Sequence, residues 1–217
     1  MNTSLIVIGA GGHAAVVADA LLSAGAHVLG FTDVDARRHG QTLCGLPILG
    51  NDSVLDLHAP AALCLINGIG STGEAGNQGA RKAVQRRLEA KGWRFAPVRH
   101  PSAVVSRFAL LSADAQLLAT SVVQAGARVG EGCIVNTGAI VEHGTQLGEF
   151  VHVACGAVLC GNVHVGAHSH VGAGAVIRQG VRLGDDTVVG AGAVVVGSFE
   201  GGRTLIGVPA SARRNGS

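Results

Sequence analysis

The chain has 217 residues, enough for one large or two small domains, and a formal net charge of +2 with no basic cluster. That balance gives no indication of nucleic acid or an anionic membrane as a partner. Apolar residues make up 47% of the chain and aromatic residues only 3%, so Val, Ala, Leu and Ile must fill the core. With no long apolar run, no signal peptide at the start and no CxxC pair among five cysteines, we expect a cytoplasmic protein with reduced thiols and no membrane insertion.

Residues 4–98 alternate short apolar runs with helix-like segments. The runs SLIVIGA, HVLGFTD, AALCLING and WRFAPV are typical of buried strands, and HAAVVADALLSAG and ARKAVQRRLEAKG of helices. This alternation predicts a small parallel α/β sheet, that is, a Rossmann-like domain over residues 1–99. The basic residues of the second helix (Arg81, Lys82, Arg86 and Arg87) are interpreted as a solvated helix face.

After HPSA (100–103) the period of the sequence changes to six. Every sixth residue from Val105 to Val195 is Val, Leu or Ile, sixteen in succession, and the residue two before each is Ala, Ser, Thr, Cys or Val. This repeat is the signature of a hexapeptide β-helix, in which three hexapeptides make one coil of 18 residues. We therefore predict a parallel β-helix over residues 100–217, with coils about 4.8 Å apart. Its open ends and flat faces favour self-association.

The 18-residue coil predicts which residues stack. His143 lies two residues after the inward-facing Val141, and Gly161 has the same position one coil further. The two should lie on one edge of the prism, where a histidine base beside a backbone N–H donor suits acyl transfer. His152 and His170 share a different position and should stack on another face.

The segment GAGGHA (9–14) follows a predicted strand and opens a helix, and Asp33 ends the next strand. This arrangement is that of a dinucleotide fingerprint, with Ala14 in place of the third glycine. Glycines let a phosphate approach the helix N-terminus, and the acid can bind a ribose hydroxyl. NAD binding is one alternative, but the domain has only about half the length of a full dinucleotide-binding fold, which counts against it.

Several motifs together resemble one family. The segments IGAGGHAAVVADAL, NGIGS, NTGAIVEH and LIGVPASARR resemble the left-handed β-helix sugar acetyltransferases. That family includes sialic-acid O-acetyltransferase-like proteins and nucleotide-4-amino-sugar N-acetyltransferases. The resemblance covers the whole chain and implies a left-handed coil, acetyl-CoA as donor, a nucleotide-linked sugar held by the N-terminal domain, and a homotrimer with active sites between subunits.

The same resemblance implies roles for individual residues. His143 matches the catalytic base, and Gly161 matches the backbone amide near the thioester carbonyl. The residues implied to contact acetyl-CoA are His152, Ala173 and Ala191. Those implied to line the nucleotide-sugar site are Gly11, Gly12, His13, Asp33 and Gly70.

One departure from the family pattern concerns the base. The family commonly carries Asp or Glu immediately after this histidine, where it raises the proton affinity of the ring, whereas this chain has Gly144. Glu142, on the other side, is a candidate substitute in the catalytic group, although its side chain should project differently. An amine acceptor needs positioning more than a strong base, so Gly144 slightly favours an amine over a hydroxyl acceptor.

We therefore predict an acetyl-CoA-dependent N-acetyltransferase that acts on a nucleotide-linked amino sugar for bacterial surface glycans, by direct attack in a ternary complex and without a metal. One alternative is a sialic-acid-type sugar O-acetyltransferase, and another is a non-catalytic trimeric nucleotide-binding protein. A third is a metal hydratase of the γ-carbonic-anhydrase type, suggested by the HxxxHxH spacing of His164, His168 and His170.

Overall fold

A computed structural model describes residues 3–71 and 78–213, which form two compact units. The first unit comprises residues 3–70 and 80–101, and the second comprises residues 102–213 together with 71, 78 and 79. Among the described residues, no helix is long and apolar enough to cross a bilayer.

The first unit is built on a five-stranded sheet. Its elements are β1 (Ser4–Ile8), α1 (Gly12–Ser23), β2 (Val28–Thr32), β3 (Thr42–Leu43), β4 (Leu46–Gly50), β5 (Leu63–Asn67), α2 (Gln78–Glu89) and β6 (Val98–Arg99), with 3-10 turns at Ala36–Arg38 and Asp52–Leu57. The strand order is β3-β4-β2-β1-β5, and all pairs are parallel except the β3–β4 hairpin. Parallel strands place their carboxyl ends at one edge, where ligands of such sheets bind.

The prediction of a small parallel α/β domain is confirmed, with differences in its parts. The hairpin over residues 42–50 was not predicted, because its two strands are short and only partly apolar. WRFAPV does not form one continuous strand: Phe95 forms a single bridge with Leu65, and Val98 begins the two-residue β6. Pro97, between them, has no N–H to donate to a ladder. The interpretation of Arg81 as solvated is wrong, because the residue is buried, at 2% exposure.

The second unit is the predicted parallel β-helix. Sixteen two-residue strands succeed one another along the chain, and residues 18 apart pair in register, as Val141 does with Leu159. The first face contains β7 (Val104–Val105), β10 (Val122–Val123), β13 (Ile140–Val141), β16 (Val158–Leu159), β19 (Val176–Ile177) and β22 (Val194–Val195). The second face contains β8 (Leu110–Leu111), β11 (Arg128–Val129), β14 (Gln146–Leu147), β17 (His164–Val165) and β20 (Arg182–Leu183).

The third face of the β-helix includes the chain's C-terminal segment. It contains β9 (Gln116–Leu117), β12 (Ile134–Val135), β15 (His152–Val153), β18 (His170–Val171) and β21 (Val188–Val189). It is extended by β23 (Thr204–Gly207) and by β24 (Ala210–Arg213), which pairs antiparallel with β23. The GVPA segment therefore forms the turn that ends the prism.

The interior of the prism is filled by the sixfold aliphatic series. From Leu117 to Val195 every member of the series is at most 4% exposed, whereas Leu111 is 37% exposed. Val105 and Leu111 belong to the first coil, which has a neighbouring coil on only one side. The small residues two positions earlier, such as Ala139 and Ala157, are also buried and leave room for the aliphatic side chains.

Two substitutions in the same position of the repeat should differ in cost. Leu159→Ala removes a side chain that is fully buried and should lower the free energy of unfolding by about 2–5 kcal/mol. Leu111→Ala makes the same chemical change at the partly exposed end of the stack and should cost about 1 kcal/mol or less. Guanidinium unfolding followed by circular dichroism would measure both; equal losses would contradict the packing described.

Candidate active site

His143 lies at the corner between the first and second faces, two residues after β13. Its side chain is exposed and its ring lies against Gly161, one coil further along the prism. A Cβ at position 161 would overlap Cε1 and Nε2 of His143, so only glycine allows the ring this position. The backbone fixes the pair, because Asn162 N–H donates to the His143 carbonyl at 2.8 Å. The structure thus brings together the two residues that the repeat predicted to stack.

The amide of Gly161 is available as a hydrogen-bond donor. Its carbonyl accepts from Gly180 N–H at 3.0 Å, but its own N–H has no acceptor among the residues that the structure describes. A backbone N–H beside an imidazole can stabilise negative charge on a carbonyl oxygen while the imidazole accepts a proton. The corner therefore has both groups that acyl transfer requires.

The carboxylate of Glu142 does not contact the His143 ring. Oε2 of Glu142 accepts from the backbone N–H of His143 at 3.2 Å, and within the described ranges no other hydrogen bond of this carboxylate is found. Gly144 has φ of +67°, and a Cβ there would overlap Oδ1 of Asn162. The side chain of Asn162 thus fills the space into which a side chain at position 144 would project, and no motif or spacing indicated this.

His152 occupies a buried position on the third face and has a defined protonation pattern. Its Nδ1 lies 3.0 Å from the carbonyl of Ser71, which can only accept, so Nδ1 carries the proton. Nε2 then accepts from the side-chain amide of Asn136 at 3.1 Å, and Asn136 Oδ1 accepts from Thr137 N–H at 2.8 Å. Asn136 begins the NTGAIVEH segment, yet sequence reasoning gave it no role; here it orients a predicted cofactor residue.

His170 stacks on His152 as predicted. The strands pair His152 with His170, and the ring centroids lie 4.9 Å apart at an interplanar angle of 86°. His170 is 8% exposed, and its Nδ1 has no partner among the described atoms. Burial lowers the pKa of His170 from its ordinary value, so the ring is neutral at pH 7.

Ala173 and Ala191 occupy the corner between the third and first faces, one coil apart. Both are exposed, and the Ala173 carbonyl accepts from Gly192 N–H at 2.8 Å. In the described part of the chain, neither alanine N–H has an acceptor, so two amides are stacked along this edge. Within one protomer the first face separates this edge from the edge that carries His143 and Gly161.

In the first unit, the predicted nucleotide-sugar residues gather at the carboxyl ends of β1 and β5. Helix α1 begins at Gly12, and its N-cap residue Gly11 offers no side-chain cap. A Cβ at Gly11 or Gly12 would meet open space, so a ligand can approach the helix N-terminus. Gly70 lies against His13, where a Cβ would stand 3.0 Å from the Cβ of His13.

Asp33 follows β2 at the same edge of the sheet, but its carboxylate is already engaged. Oδ2 pairs with Nη1 of Arg38 at 2.7 Å, and Oδ1 accepts from Asp35 N–H at 2.9 Å. The side chain of Arg38 is 34% exposed, and its guanidinium is the cationic group beside Asp33. Sequence reasoning missed Arg38, since the ARR segment falls in a short turn with no periodicity.

The histidines of the HxxxHxH spacing do not converge. His164 lies on the second face and His170 on the third, while His168 lies at the corner between them, near Glu149 at 3.3 Å and Asp186 at 3.6 Å. The described residues contain no group of three or more His, Cys, Asp or Glu that could hold a metal ion. These three histidines therefore do not form the metal site that their spacing suggested.

The fold and the corner histidine define a hexapeptide-repeat acyltransferase. Residues 4–88 match the family profile described as the PglD N-terminal domain, and residues 144–179 and 162–197 match the bacterial transferase hexapeptide of six repeats. No curated protein sequence matches the chain.

Solved structures match almost the whole chain. A histidine-to-asparagine mutant of perosamine N-acetyltransferase from Caulobacter crescentus, in complex with CoA and GDP-perosamine, is 33% identical over 98% of this chain and 97% of that one, with a TM-score of 0.89. PerB from the same organism, with the same ligands, is 34% identical over 97% of each chain, with a TM-score of 0.88. The acetyltransferase domain of PglB from Neisseria gonorrhoeae FA1090, in complex with acetyl coenzyme A, is 35% identical over 98% of this chain and 100% of that one, with a TM-score of 0.88.

The chain belongs to this family of N-acetyltransferases, which combine a PglD-type N-terminal domain with a left-handed β-helix. The prediction of an acetyl-CoA-dependent sugar acetyltransferase is confirmed, and the non-catalytic alternative is not retained.

Gly161→Ala should impair catalysis by displacing the His143 ring and disturbing the amide donor. We expect kcat to fall about 100-fold, the size of loss seen when one oxyanion donor is removed. Gly197→Ala is the matched control, because Gly197 occupies the same position of the repeat two coils further on and a Cβ there meets open space. Steady-state CoA release would measure both, and similar rates in the two variants would contradict the close packing of His143 on Gly161.

His170→Asn should reduce the dependence of stability on pH. Above about pH 6.5, the ordinary histidine pKa, His170 is neutral in both the folded and the unfolded chain and contributes no pH dependence. As the pH falls below that value, the unfolded chain binds the proton first, because burial lowers the pKa in the folded state, and stability decreases. Thermal unfolding from pH 8 to pH 5 should show a smaller loss in the variant than in the parent; parallel curves would contradict this account.

Proposed function

We propose that this protein transfers the acetyl group of acetyl-CoA to the amine of a nucleotide-linked amino sugar, in the synthesis of a bacterial surface glycan. The observation that carries the proposal is the contact between the His143 ring and Gly161, whose N–H has no acceptor in the described chain. The sialic-acid-type O-acetyltransferase alternative is not retained, because the matched relatives are N-acetyltransferases. Two of the matched structures are variants of the Caulobacter enzyme in which a histidine is replaced by asparagine or alanine.

The reaction follows from the two groups at the corner. The lone pair of the sugar amine forms a bond to the acetyl carbon, and the bond from that carbon to sulfur breaks. The N–H of Gly161 donates to the acetyl oxygen as it gains negative charge. His143 takes the proton that the amine nitrogen loses and gives it to the departing sulfur, so the products are an amide and a free thiol. None of these steps needs an acetylated enzyme residue or a metal.

The separation of the two corners supports a trimer in which sites are shared. The outward side chains of the first face form an apolar row of valines and one isoleucine (Val104, Val122, Ile140, Val158, Val176 and Val194). A face of this kind favours association with further copies of the chain. Packing about a threefold axis would bring the Ala173–Ala191 edge of one copy towards the His143–Gly161 edge of the next, so that one acetyl-CoA touches both.

The first unit supplies a site that suits the nucleotide. The open N-terminus of α1 at Gly11 and Gly12 attracts phosphate oxygens through its backbone N–H groups and helix dipole. His13 lies at the same point, and Arg38 adds a cation beside Asp33. Since Asp33 already pairs with Arg38, we assign it the role of holding that guanidinium in place. Acetyl-CoA as the donor further favours action in the cytoplasm.

The test of function is CoA release from acetyl-CoA in the presence of nucleotide-linked 4-amino sugars, with free and CMP-linked sialic acids as hydroxyl acceptors. Turnover of an amino sugar that falls about 10²–10⁴-fold in His143→Ala is the expected result. His27→Ala is the control, since His27 is an exposed histidine that bonds Ser4 in the first unit. CoA release with sialic acids as the only active acceptors would overturn the proposal, as would the absence of CoA release with every acceptor in the set.

The same assay separates proton transfer from positioning. If His143 mainly positions the amine, His143→Ala and His143→Gln should both lose only a few-fold above pH 8, where a free amine needs less help. If His143 is the proton acceptor, both variants should lose far more at every pH between 6 and 9. The comparison matters here because Glu142 and Gly144 offer no carboxylate to the ring.

A further inference from the structure

The turn that follows β5, residues 67–70, packs directly against the glycine segment 9–14 of the first unit. A Cβ at Gly68 would overlap atoms of both β1 and α1, so only glycine allows the turn to approach so closely. Two residues further on, Gly70 lies against His13. The position of the 67–70 turn therefore determines the surroundings of His13 and of the open N-terminus of α1.

Asn67, the last residue of β5 and the first of the 67–70 turn, is buried and links the turn to α2. Its Oδ1 accepts from the N–H of Ile69 at 3.2 Å, and its Nδ2 donates to the Arg81 carbonyl and to Oε1 of Gln85, each at 3.1 Å. These partners fix the orientation of the Asn67 amide, because a backbone N–H can only donate and a backbone carbonyl can only accept. One side chain thus holds the turn and two successive turns of α2 together.

Gln85 extends this link along the helix. It is buried, at 1% exposure, and lies four residues after Arg81, so both partners of Asn67 are on one face of α2. Because Oε1 of Gln85 accepts from Asn67, its Nε2 is directed to Glu89 and donates to Oε1 of that carboxylate at 3.1 Å. The side chain of Glu89 is partly exposed, so the chain of hydrogen bonds runs from the buried turn to the surface of the helix.

Packing alone does not require polar side chains at positions 67 and 85. The core between β5 and α2 contains the apolar side chains of Leu63, Leu65 and Leu88. Replacing both partners of a buried hydrogen bond by apolar groups of similar shape can be nearly neutral for stability. Hydrogen bonds, unlike apolar contacts, are directional, so they hold a backbone turn in one position.

We propose that Asn67 and Gln85 are positioning residues for the nucleotide-linked substrate. Their hydrogen bonds hold the 67–70 turn where Gly70 supports His13 and where the N-terminus of α1 stays open to a phosphate group. Both side chains are buried, so they act through the turn and not by contact with the substrate. The proposal rests on the proposed function, in which this edge of the sheet binds the nucleotide.

Isothermal titration calorimetry of the full chain tests the proposal without turnover. The ligands are ADP, CDP, GDP, UDP and dTDP, with CoA as the reference ligand. Asn67→Asp keeps an oxygen for the N–H of Ile69 but replaces the donor by an oxygen that faces the Arg81 carbonyl, and Gln85→Leu removes the acceptor on α2. We expect Kd for the nucleoside diphosphate that the parent binds best to rise about tenfold in each variant, and Kd for CoA to change less than about twofold.

Two conservative variants separate positioning from folding. Gln85→Glu keeps an acceptor for Asn67, and Glu89→Gln keeps an acceptor for Gln85, so both should bind nucleotide within about threefold of the parent. A partly unfolded variant would show fewer binding sites per chain with an unchanged Kd, so calorimetry distinguishes loss of folding from loss of affinity.

Steady-state kinetics supply a second measurement. With the amino sugar that the parent acetylates, KM for that sugar should rise about tenfold in Asn67→Asp and Gln85→Leu, while kcat and KM for acetyl-CoA change less than about threefold. A loss in kcat or in KM for both substrates would indicate general damage to the chain and would contradict the positioning role.

The outcome is separable from that of the proposed function. Unchanged nucleotide Kd values in both Asn67→Asp and Gln85→Leu would overturn the proposal, as would an equal rise in Kd for CoA or a parent that binds none of the five nucleoside diphosphates. Nucleotide binding that depends on Asn67 supports the positioning role even if no amino sugar is acetylated. Acetyl transfer that depends on His143 supports the function even if both variants bind nucleotide normally.

Discussion

Backbone hydrogen bonding between coils is the constraint on which the site depends. Because residues 18 apart pair in register, any two such residues lie one strand spacing apart on the same edge or face. His143 meets Gly161 for this reason, and His152 meets His170. The proposed catalytic corner needs no mobile loop to assemble it, because a ladder of main-chain hydrogen bonds holds the imidazole against an amide. Sequence differences within a coil alter only the side chains that project from it.

The sixfold aliphatic series predicted the β-helix from sequence because one rule is repeated sixteen times, and only the open first coil, with Leu111, departs from it in burial. The 18-residue coil that follows from this series also predicted that His143 would lie beside Gly161. In the first unit, strong apolar strands such as SLIVIGA were found, whereas the β3–β4 hairpin, the interruption at Pro97 and the burial of Arg81 depend on tertiary packing that no local period reports. Propensity is a weak guide wherever packing decides.

The residues of the site that sequence reasoning missed are mostly polar side chains that hold other site residues in place. Asn136 orients His152, Asn162 fills the place beside Gly144, and Arg38 occupies the carboxylate of Asp33. Each belongs to a segment that also carries a motif residue, but its contact is with a residue in another coil or element. The motifs contain the residues that are predicted to react. The residues that hold them in place can be recognised only once the coils are stacked in three dimensions.

The triangular prism also restricts how such a protein can change in length. Removing six residues would rotate everything beyond the deletion by one face, and would move Gly161 from the edge of His143 to a different edge. Only gain or loss of a full 18-residue coil preserves all three faces, and even this is tolerated only outside the interval between His143 and Gly161. The distance from the proposed catalytic corner to the end of the prism can therefore vary only in steps of about 4.8 Å. The length of prism surface that a long, linear substrate can contact therefore changes only by whole coils.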